Sequence, residues 1–152
     1  MLVDGDPASY RDLDEFETAI SAGASISARA LQDKLQVTLL VADRVAHEPT
    51  VLQALDACSR ATSDPRAGIA ALISRGLRVA PRTTAVMIVT GAVHDYPELR
   101  RLCRRVPRQL RTVAIRVDPT AATGVTAVGS LTALSLRRLG ELPILVREGA
   151  AG

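Results

Sequence analysis

Two kinds of apolar pattern alternate along this chain. Continuous aliphatic and β-branched runs, typical of strands buried on both faces of a sheet, occur at 35–42, 84–90 and 110–118. Shorter runs at 1–4 and 124–130 predict a strand cut short at the start and a short late strand. Between these runs, apolar residues recur at the three- and four-residue spacing of amphipathic helices.

Residues suited to helix starts support the helical interpretation of the intervening segments. Asp12 or Asp14 can cap the first helix, Asp64 and Pro65 suit the N-cap and first position of another, and Ser130 can cap the last. The pattern predicts helices over 13–33, 50–59, 64–79, 95–106 and 130–139, a loop over 43–49 and a C-terminal tail over 143–152.

The predicted order of elements is β-α-β-α-α-β-α-β-β-α over 152 residues. Strands that alternate with helices favour a mostly parallel sheet covered by helices on both faces. We therefore expect an α/β fold with three layers and a Rossmann-like architecture. One domain is expected over residues 1–142, followed by the tail at 143–152.

The composition is aliphatic and poor in aromatic side chains. Hydrophobic residues make up 47% of the chain, but aromatic residues only 2%, with a single Phe. A core of Ala, Val, Leu and Ile suits a buried parallel sheet, and the scarcity of rings argues against stacking on bases. The net charge of +3 does not by itself predict a nucleic-acid partner.

The motifs of common α/β enzymes are absent from the sequence. Neither GxGxxG nor GxxxxGK(S/T) is present to cradle phosphate, and no GxSxG presents a nucleophile. We expect His47 and His94 to be solvated loop residues, because no serine or cysteine nucleophile stands near them. Cys58 and Cys103 lack metal-ligand spacing and are expected to be reduced core thiols. No catalytic residue and no enzymatic activity are predicted.

Arginines are concentrated in and after one predicted helix. Those in the helix point away from its apolar residues Leu99, Leu102 and Val106, and two interpretations remain open: a solvated helix face, or a basic docking surface for an acidic partner or nucleic acid. Without aromatic neighbours, electrostatic docking is favoured over base recognition. The arginines are Arg100, Arg101, Arg104, Arg105, Arg108 and Arg111.

Three phrases, YRDLDEFETAISAGASI, TAVMIVTG and TVAIRVDP, carry a resemblance to known proteins. From residue 2 to about 142 the chain resembles a von Willebrand factor A-like domain. More narrowly, it resembles the C-terminal half of the bacterial "domain of unknown function 58" family. The resemblance implies a sheet of order 3-2-1-4-5-6 with one antiparallel edge strand, whose remnant is expected within 42–48.

Members of that family usually carry more chain upstream, often with membrane-spanning helices. This chain contains no run of 18 or more apolar residues, so no membrane span is predicted within it. We expect a cytoplasmic protein, with the cytoplasmic domain of a membrane-anchored protein as the alternative.

The resemblance also implies where a metal ion would bind. Metal-binding A domains hold Mg²⁺ with D-x-S-x-S after the first strand, a Thr from a second loop and T-D-G after the central strand; one position stays open for a partner's carboxylate. Here Asp6 replaces the first Ser, Ala8 replaces the second, and Gly91 follows Thr90 directly. The implied site is therefore degenerate, and no cofactor is expected, with Mg²⁺ as the alternative. Its candidate ligands are Asp4, Asp6, Ser63 and Thr90.

For function, the resemblance implies a protein-interaction module that acts with a MoxR-type AAA ATPase. The candidate partner-binding residues are Arg100, Arg101, Arg104, Arg105, His94 and Asp95. The alternative is a metal- or nucleotide-dependent small-ligand protein or enzyme on a Rossmann-like sheet, which rests on fold analogy alone. Its candidate residues are Asp4, Asp6, Thr90, His94 and Asp95. Nucleic-acid binding through the arginine-rich helix is a third hypothesis, and no nucleic acid is expected as the partner.

Overall fold

A seven-stranded sheet organises the chain, as shown by a computed structural model that describes residues 1–151. The strands are β1 (Leu2–Val3), β2 (Thr38–Val41), β3 (Arg44–His47), β4 (Ala85–Thr90), β5 (Arg111–Val117), β6 (Gly124–Val128) and β7 (Leu131–Leu136). The helices are α1 (Leu13–Gln32), α2 (Val51–Ser59), α3 (Ile69–Val79), α4 (Tyr96–Cys103) and α5 (Leu142–Ala151), with short 3₁₀ turns at Pro7–Ser9 and Leu139–Glu141.

The strand order is β3-β2-β1-β4-β5-β7-β6. The five central strands, β2, β1, β4, β5 and β7, run parallel, while β3 and β6 pair antiparallel at the two edges. The resemblance implied one antiparallel edge strand beside the order 3-2-1-4-5-6. The structure has that edge at β3 and a further one at β6, outside β7.

Two aliphatic cores cover the two faces of the sheet. On one face, α1, α2 and α5 pack through residues such as Ile20, Cys58 and Leu145. On the other, α3 and α4 pack through residues such as Leu72 and Leu99. The predicted fold, a mostly parallel sheet between two helical layers, is confirmed. Both cysteines are buried free thiols, and burial raises the pKa of each to about 11.

Helix α1 lies unusually close to the sheet because its inner face carries small residues. Ala19, Ala22 and Gly23 are all buried. A Cβ added at Gly23 would come within 2.4 Å of Val3 Cγ2 on β1. The small residues of α1 therefore allow this helix to pack closely against β1.

The helix predicted over 64–79 begins later than expected, at Ile69 with Gly68 as its N-cap. Asp64 does not cap it, because the preceding segment is bonded to the loop after β1. The Gly5 N–H donates to the Ala67 carbonyl, and the Asp64 N–H donates to the Gly5 carbonyl. Two long-range backbone hydrogen bonds thus outweigh the local capping signal.

The helix predicted over 130–139 is wrong, since this segment forms strand β7. Gly129, with φ of +67°, and Ser130 form the two-residue loop of a hairpin in which Val128 pairs with Leu131. Strand β7 is hydrogen-bonded on both sides, to β5 and β6, and nearly all of it is buried. A strand buried on both faces lacks alternation, so periodicity alone does not separate it from a buried helix.

Two further segments differ from the predictions. The predicted loop over 43–49 contains β3, which is short and mostly exposed, as an edge strand often is. The tail expected at 143–152 instead forms α5 up to Ala151, with Leu142 and Leu145 buried, while Gly152 lies outside the described residues. No helix within residues 1–151 is both long and apolar enough to cross a membrane.

The close approach of α1 to β1 predicts the effect of Gly23→Ala. Alanine favours a helix by about 1 kcal/mol over glycine, but its Cβ overlaps Val3, and overpacking a core costs about 1–3 kcal/mol. We expect a net loss of about 1 kcal/mol of unfolding free energy, measured by urea denaturation. Gly140→Ala is the control, because a Cβ there meets nothing within 4 Å; equal stability of the two variants would contradict the packing argument.

Candidate functional site

Polar side chains meet at the rim formed by the carboxyl ends of β1 and β4. These two strands are neighbours, with Val3 paired to Val89, so the residues that follow them emerge side by side. We call this group the rim cluster. It consists of Asp4, Asp6, Ser9, Thr90 and His94.

Asp4 lies at the centre of the rim cluster and is fully buried. Its Oδ1 accepts a hydrogen bond from the Asp6 N–H at 3.0 Å, and its Oδ2 accepts one from the Thr90 hydroxyl at 2.7 Å. The Tyr10 hydroxyl donates to the Asp4 carbonyl at 2.6 Å. Burial, followed by the charges of Asp4 and Glu15, raises the pKa of Tyr10 well above its usual value, so Tyr10 stays a donor.

His94 enters the cluster from the loop between β4 and α4. Its Nε2 lies 3.0 Å from Ser9 Oγ and 3.6 Å from Asp4 Oδ2, and its side chain is only 17% exposed. Glu98 Oε2 lies 3.1 Å from Nδ1 without forming a hydrogen bond, and this contact is an ion pair when the ring is protonated.

Each ring nitrogen of His94 therefore faces a carboxylate. Carboxylates are negatively charged and only accept, so a ring protonated on both nitrogens, the imidazolium, suits this surrounding best. Contact with Asp4 raises the pKa of His94 above its ordinary value, more than the opposing effect of desolvation lowers it, and Glu98 adds to the rise.

Several contacts fasten the loop that carries His94. The backbone N–H groups of Val93 and Ala92 donate to the Ser9 carbonyl and to buried Glu15, respectively. From β5, the Arg116 guanidinium donates to the carbonyls of His94, at 2.7 Å, and Ala92, at 2.6 Å. The loop is thus held from three directions, by the chain after β1, by α1 and by β5.

Gly91 gives the loop its close approach to the chain after β1. A Cβ at this position would lie 2.2 Å from the Ser9 carbonyl oxygen and 2.6 Å from the Tyr10 ring. Any side chain here would push the loop off the rim. The glycine therefore permits the contact between His94 and Asp4.

A second ionic group lies beside the rim cluster, where β5 ends. Asp118 is nearly buried and pairs with Arg116 at 2.6 Å and with Arg11 at 3.2 Å, and it accepts hydrogen bonds from Thr120. Burial alone would raise the pKa of Asp118, but the Thr120 hydrogen bonds and the two arginines together lower it to about 2.

The structure brings together some predicted site residues and separates others. Asp4 and Thr90 are in contact, and Asp6 is adjacent, with its Oδ1 accepting from the Ala8 N–H. Ser63 is exposed, and none of the hydrogen bonds among residues 1–151 joins it to the rim cluster. Asp95 caps α4 by accepting a hydrogen bond from the Glu98 N–H.

The solvated loop position expected for His94 is wrong, because the ring is mostly buried against Asp4 and Ser9. His47 lies on edge strand β3, where its Nδ1 is 2.9 Å from Thr38 Oγ1. Among the other candidates for partner binding, the arginines are exposed on α4 and just after it: Arg100, Arg101, Arg104 and Arg105.

The residues at the rim do not fit a magnesium site. Ala8 and Gly91 supply no side-chain oxygen, both oxygens of Asp4 already accept hydrogen bonds, and the His94 ring lies against the carboxylate that would bind the ion. In the part of the chain that the structure describes, no group of three or more His, Cys, Asp or Glu side chains is arranged to hold a metal.

Surface depressions lie away from the rim. One of about 660 Å³ is lined by residues near the amino ends of the strands, such as Leu35 and Met87, and one of about 370 Å³ lies between β3 and α2. Neither is lined by a residue of the rim cluster.

Four contributors to the rim were not predicted from the sequence: Ser9, Glu15, Arg116 and Asp118. Arg116 and Asp118 did carry a signal, because they are charged residues at the end of a largely aliphatic strand. Glu15 carried none, since an acidic residue in the first turn of a helix is ordinary. Ser9 carried none either, because a serine in a turn-rich loop is ordinary.

Comparison of the chain with protein families, with curated proteins and with solved structures found no match.

The paired Asp118 predicts a defined acid dependence of stability. Its pKa is about 2 in the folded chain and about 3.9 when unfolded, so its contribution is present above about pH 4 and is lost as pH falls through 2. We expect Asp118→Asn to reduce the unfolding free energy by about 1–2 kcal/mol near neutral pH. The difference from wild type should shrink below about pH 4, as measured by urea denaturation at each pH.

Glu17→Gln serves as the control, because Glu17 is exposed on α1 and forms no ion pair within residues 1–151. A difference between wild type and Asp118→Asn that stays constant from neutral pH to about pH 2 would show that the lost charge is not the cause.

Proposed function

We propose that this chain is a von Willebrand factor A-like domain that acts as a non-catalytic protein-interaction module with a degenerate metal-ion site. We propose further that its partner is a MoxR-type AAA ATPase in the cytoplasm, as the family resemblance implies. The partner's surface would carry acidic side chains, because the face that we assign to docking is strongly basic.

The distribution of charge between the two helical layers carries this proposal. Residues 65–110, which include α3, β4 and α4, contain nine arginines and two acidic residues. The remainder of the chain contains ten basic and fourteen acidic residues. The positive net charge of the protein therefore comes from one layer, while the opposite layer with α1, α2 and α5 is slightly acidic.

All nine arginines of this layer are exposed, and eight of them form no ion pair among the described residues. Only Arg101 has a carboxylate near it, Glu98 at 3.6 Å. We call these residues the basic face: Arg66, Arg75, Arg78, Arg82, Arg100, Arg101, Arg104, Arg105 and Arg108.

The basic face differs from the arginines of the opposite layer. There, Arg29 and Arg60 each pair with an aspartate one helical turn away, at 2.9 and 2.8 Å. Uncompensated like charges repel one another and destabilise the folded chain slightly, and a complementary partner removes that repulsion. An arginine face without neighbouring rings suits carboxylates through charge and paired N–H donors.

The polar groups of the rim support a non-catalytic role. An acid–base or nucleophilic site needs a group that is free to reach a substrate. Here Asp4, Glu15 and His94 are mostly buried and bonded to other parts of the chain. The order of the first five strands across the sheet, β3-β2-β1-β4-β5, and the antiparallel edge at β3 agree with what the resemblance to A domains implies and support the assignment to that class.

Charge reversal on the basic face tests the proposal. We expect Arg101→Glu with Arg105→Glu to weaken binding to the purified MoxR-type ATPase of the same organism by roughly tenfold or more, measured by biolayer interferometry. The affinity of the wild-type chain should also fall as salt rises, because exposed charges are screened over about 10 Å at 0.1 M.

The matched control is Arg29→Glu with Arg60→Glu, which makes the same change of charge on the opposite layer and should leave binding nearly unchanged. Equal loss in both double variants would show that only net charge matters. Binding that neither pair affects, or binding of duplex DNA in place of the ATPase, would contradict the proposed docking face.

A further inference from the structure

The rim cluster contains buried carboxylates whose negative charge must be compensated, and the basic face lies elsewhere on the protein. Asp4 is fully buried at the end of β1, and Glu15 is buried nearby. A buried carboxylate needs hydrogen bonds and a compensating charge, since leaving it unpaired is strongly unfavourable. In a metal-binding rim the cation supplies that charge, and the residues present here do not fit a cation.

His94 lies where the compensating charge is needed. Its Nε2 is 3.6 Å from Asp4 Oδ2 and 3.0 Å from Ser9 Oγ, so one ring edge faces both a carboxylate and a hydroxyl. The same Asp4 oxygen accepts the Thr90 hydroxyl at 2.7 Å. His94 Nε2 therefore lies beside the Asp4 carboxylate and the Ser9 hydroxyl, and the Thr90 hydroxyl binds the same Asp4 oxygen.

We propose that the His94 side chain is a built-in replacement for a divalent cation, and that it holds the rim closed independently of any metal ion. The ring supplies positive charge between Asp4 and Glu98, and it occupies the space in which an ion would contact Asp4. This inference does not depend on the identity of the partner or on the basic face.

The loop is built to keep the ring in this position. Arg116 binds the His94 carbonyl from β5, Ser9 binds the Val93 N–H, and Gly91 permits the contact with the chain after β1. A carboxylate at position 91, which the T-D-G pattern would supply, has no room, since even a Cβ would lie 2.2 Å from the Ser9 carbonyl oxygen. Gly91 thus leaves the space beside Asp4 to the His94 ring.

Removal of the ring tests the inference, with thermal unfolding in the presence and absence of MnCl2. His94→Ala leaves Asp4 buried without a compensating charge, and we expect the melting temperature to fall by roughly 5–10 °C. Added Mn²⁺ should not restore the loss, because Ala8 and Gly91 still supply no oxygen ligand. The wild-type chain should show no response to Mn²⁺.

A second measurement isolates the charge without opening the space. His94→Gln keeps a polar side chain of similar size but carries no charge, and we expect it to lower the melting temperature by roughly 5–10 °C. In the Asp4→Asn background the same substitution should cost much less, because no carboxylate then needs compensation. His47→Gln, at the exposed histidine on β3, is the control and should change neither stability nor the response to Mn²⁺.

Three results would overturn the inference. Stabilisation of the wild-type chain by Mn²⁺ would show that the ring does not exclude the ion. A melting temperature of His94→Ala equal to that of the wild-type chain would show that the ring does not hold the rim closed. Equal cost of His94→Gln with and without Asp4→Asn would show that His94 does not compensate Asp4.

Discussion

A carboxylate without access to water governs the arrangement of the rim. Asp4 directly follows β1, the first strand of the chain, and none of it is exposed. Such a group is tolerated only when its oxygens accept hydrogen bonds and a positive charge lies close by. The turn to Asp6, the hydroxyl of Thr90 and the ring of His94 meet those needs together.

The groups that bind Asp4 come from distant parts of the sequence, so they connect the elements of the rim to one another. The loop after β4 must lie against the chain after β1, and Glu15 from α1 and Arg116 from β5 hold it there. Arg116 in turn pairs with Asp118, which also binds Arg11. Strands β1, β4 and β5 and helix α1 are therefore linked by ionic and hydrogen-bonding contacts as well as by the aliphatic core.

This internal bonding distinguishes the rim from the basic face, the two surfaces considered for function. At the rim, the polar groups form hydrogen bonds and ion pairs with one another. On the helical layer formed by α3 and α4, the arginines face solvent, and all but Arg101 lack an ion-pair partner within the described residues. The unpaired arginines of the basic face are therefore available to bind another molecule. The polar groups of the rim, which are bonded to one another, stabilise the fold.

The sequence alone determined the layered α/β architecture, because long aliphatic runs and helical periodicity are local properties that need no knowledge of the partner strand. It also placed Asp4 and Thr90 at one edge, since the carboxyl ends of neighbouring parallel strands must meet. Only the tertiary structure decided that 131–136 is a strand, because hydrogen bonding to β5 and β6 on both sides outweighs a pattern equally suited to a helix. Tertiary structure likewise decided that His94 faces Asp4, since ninety residues separate them and only packing at Gly91 brings them together.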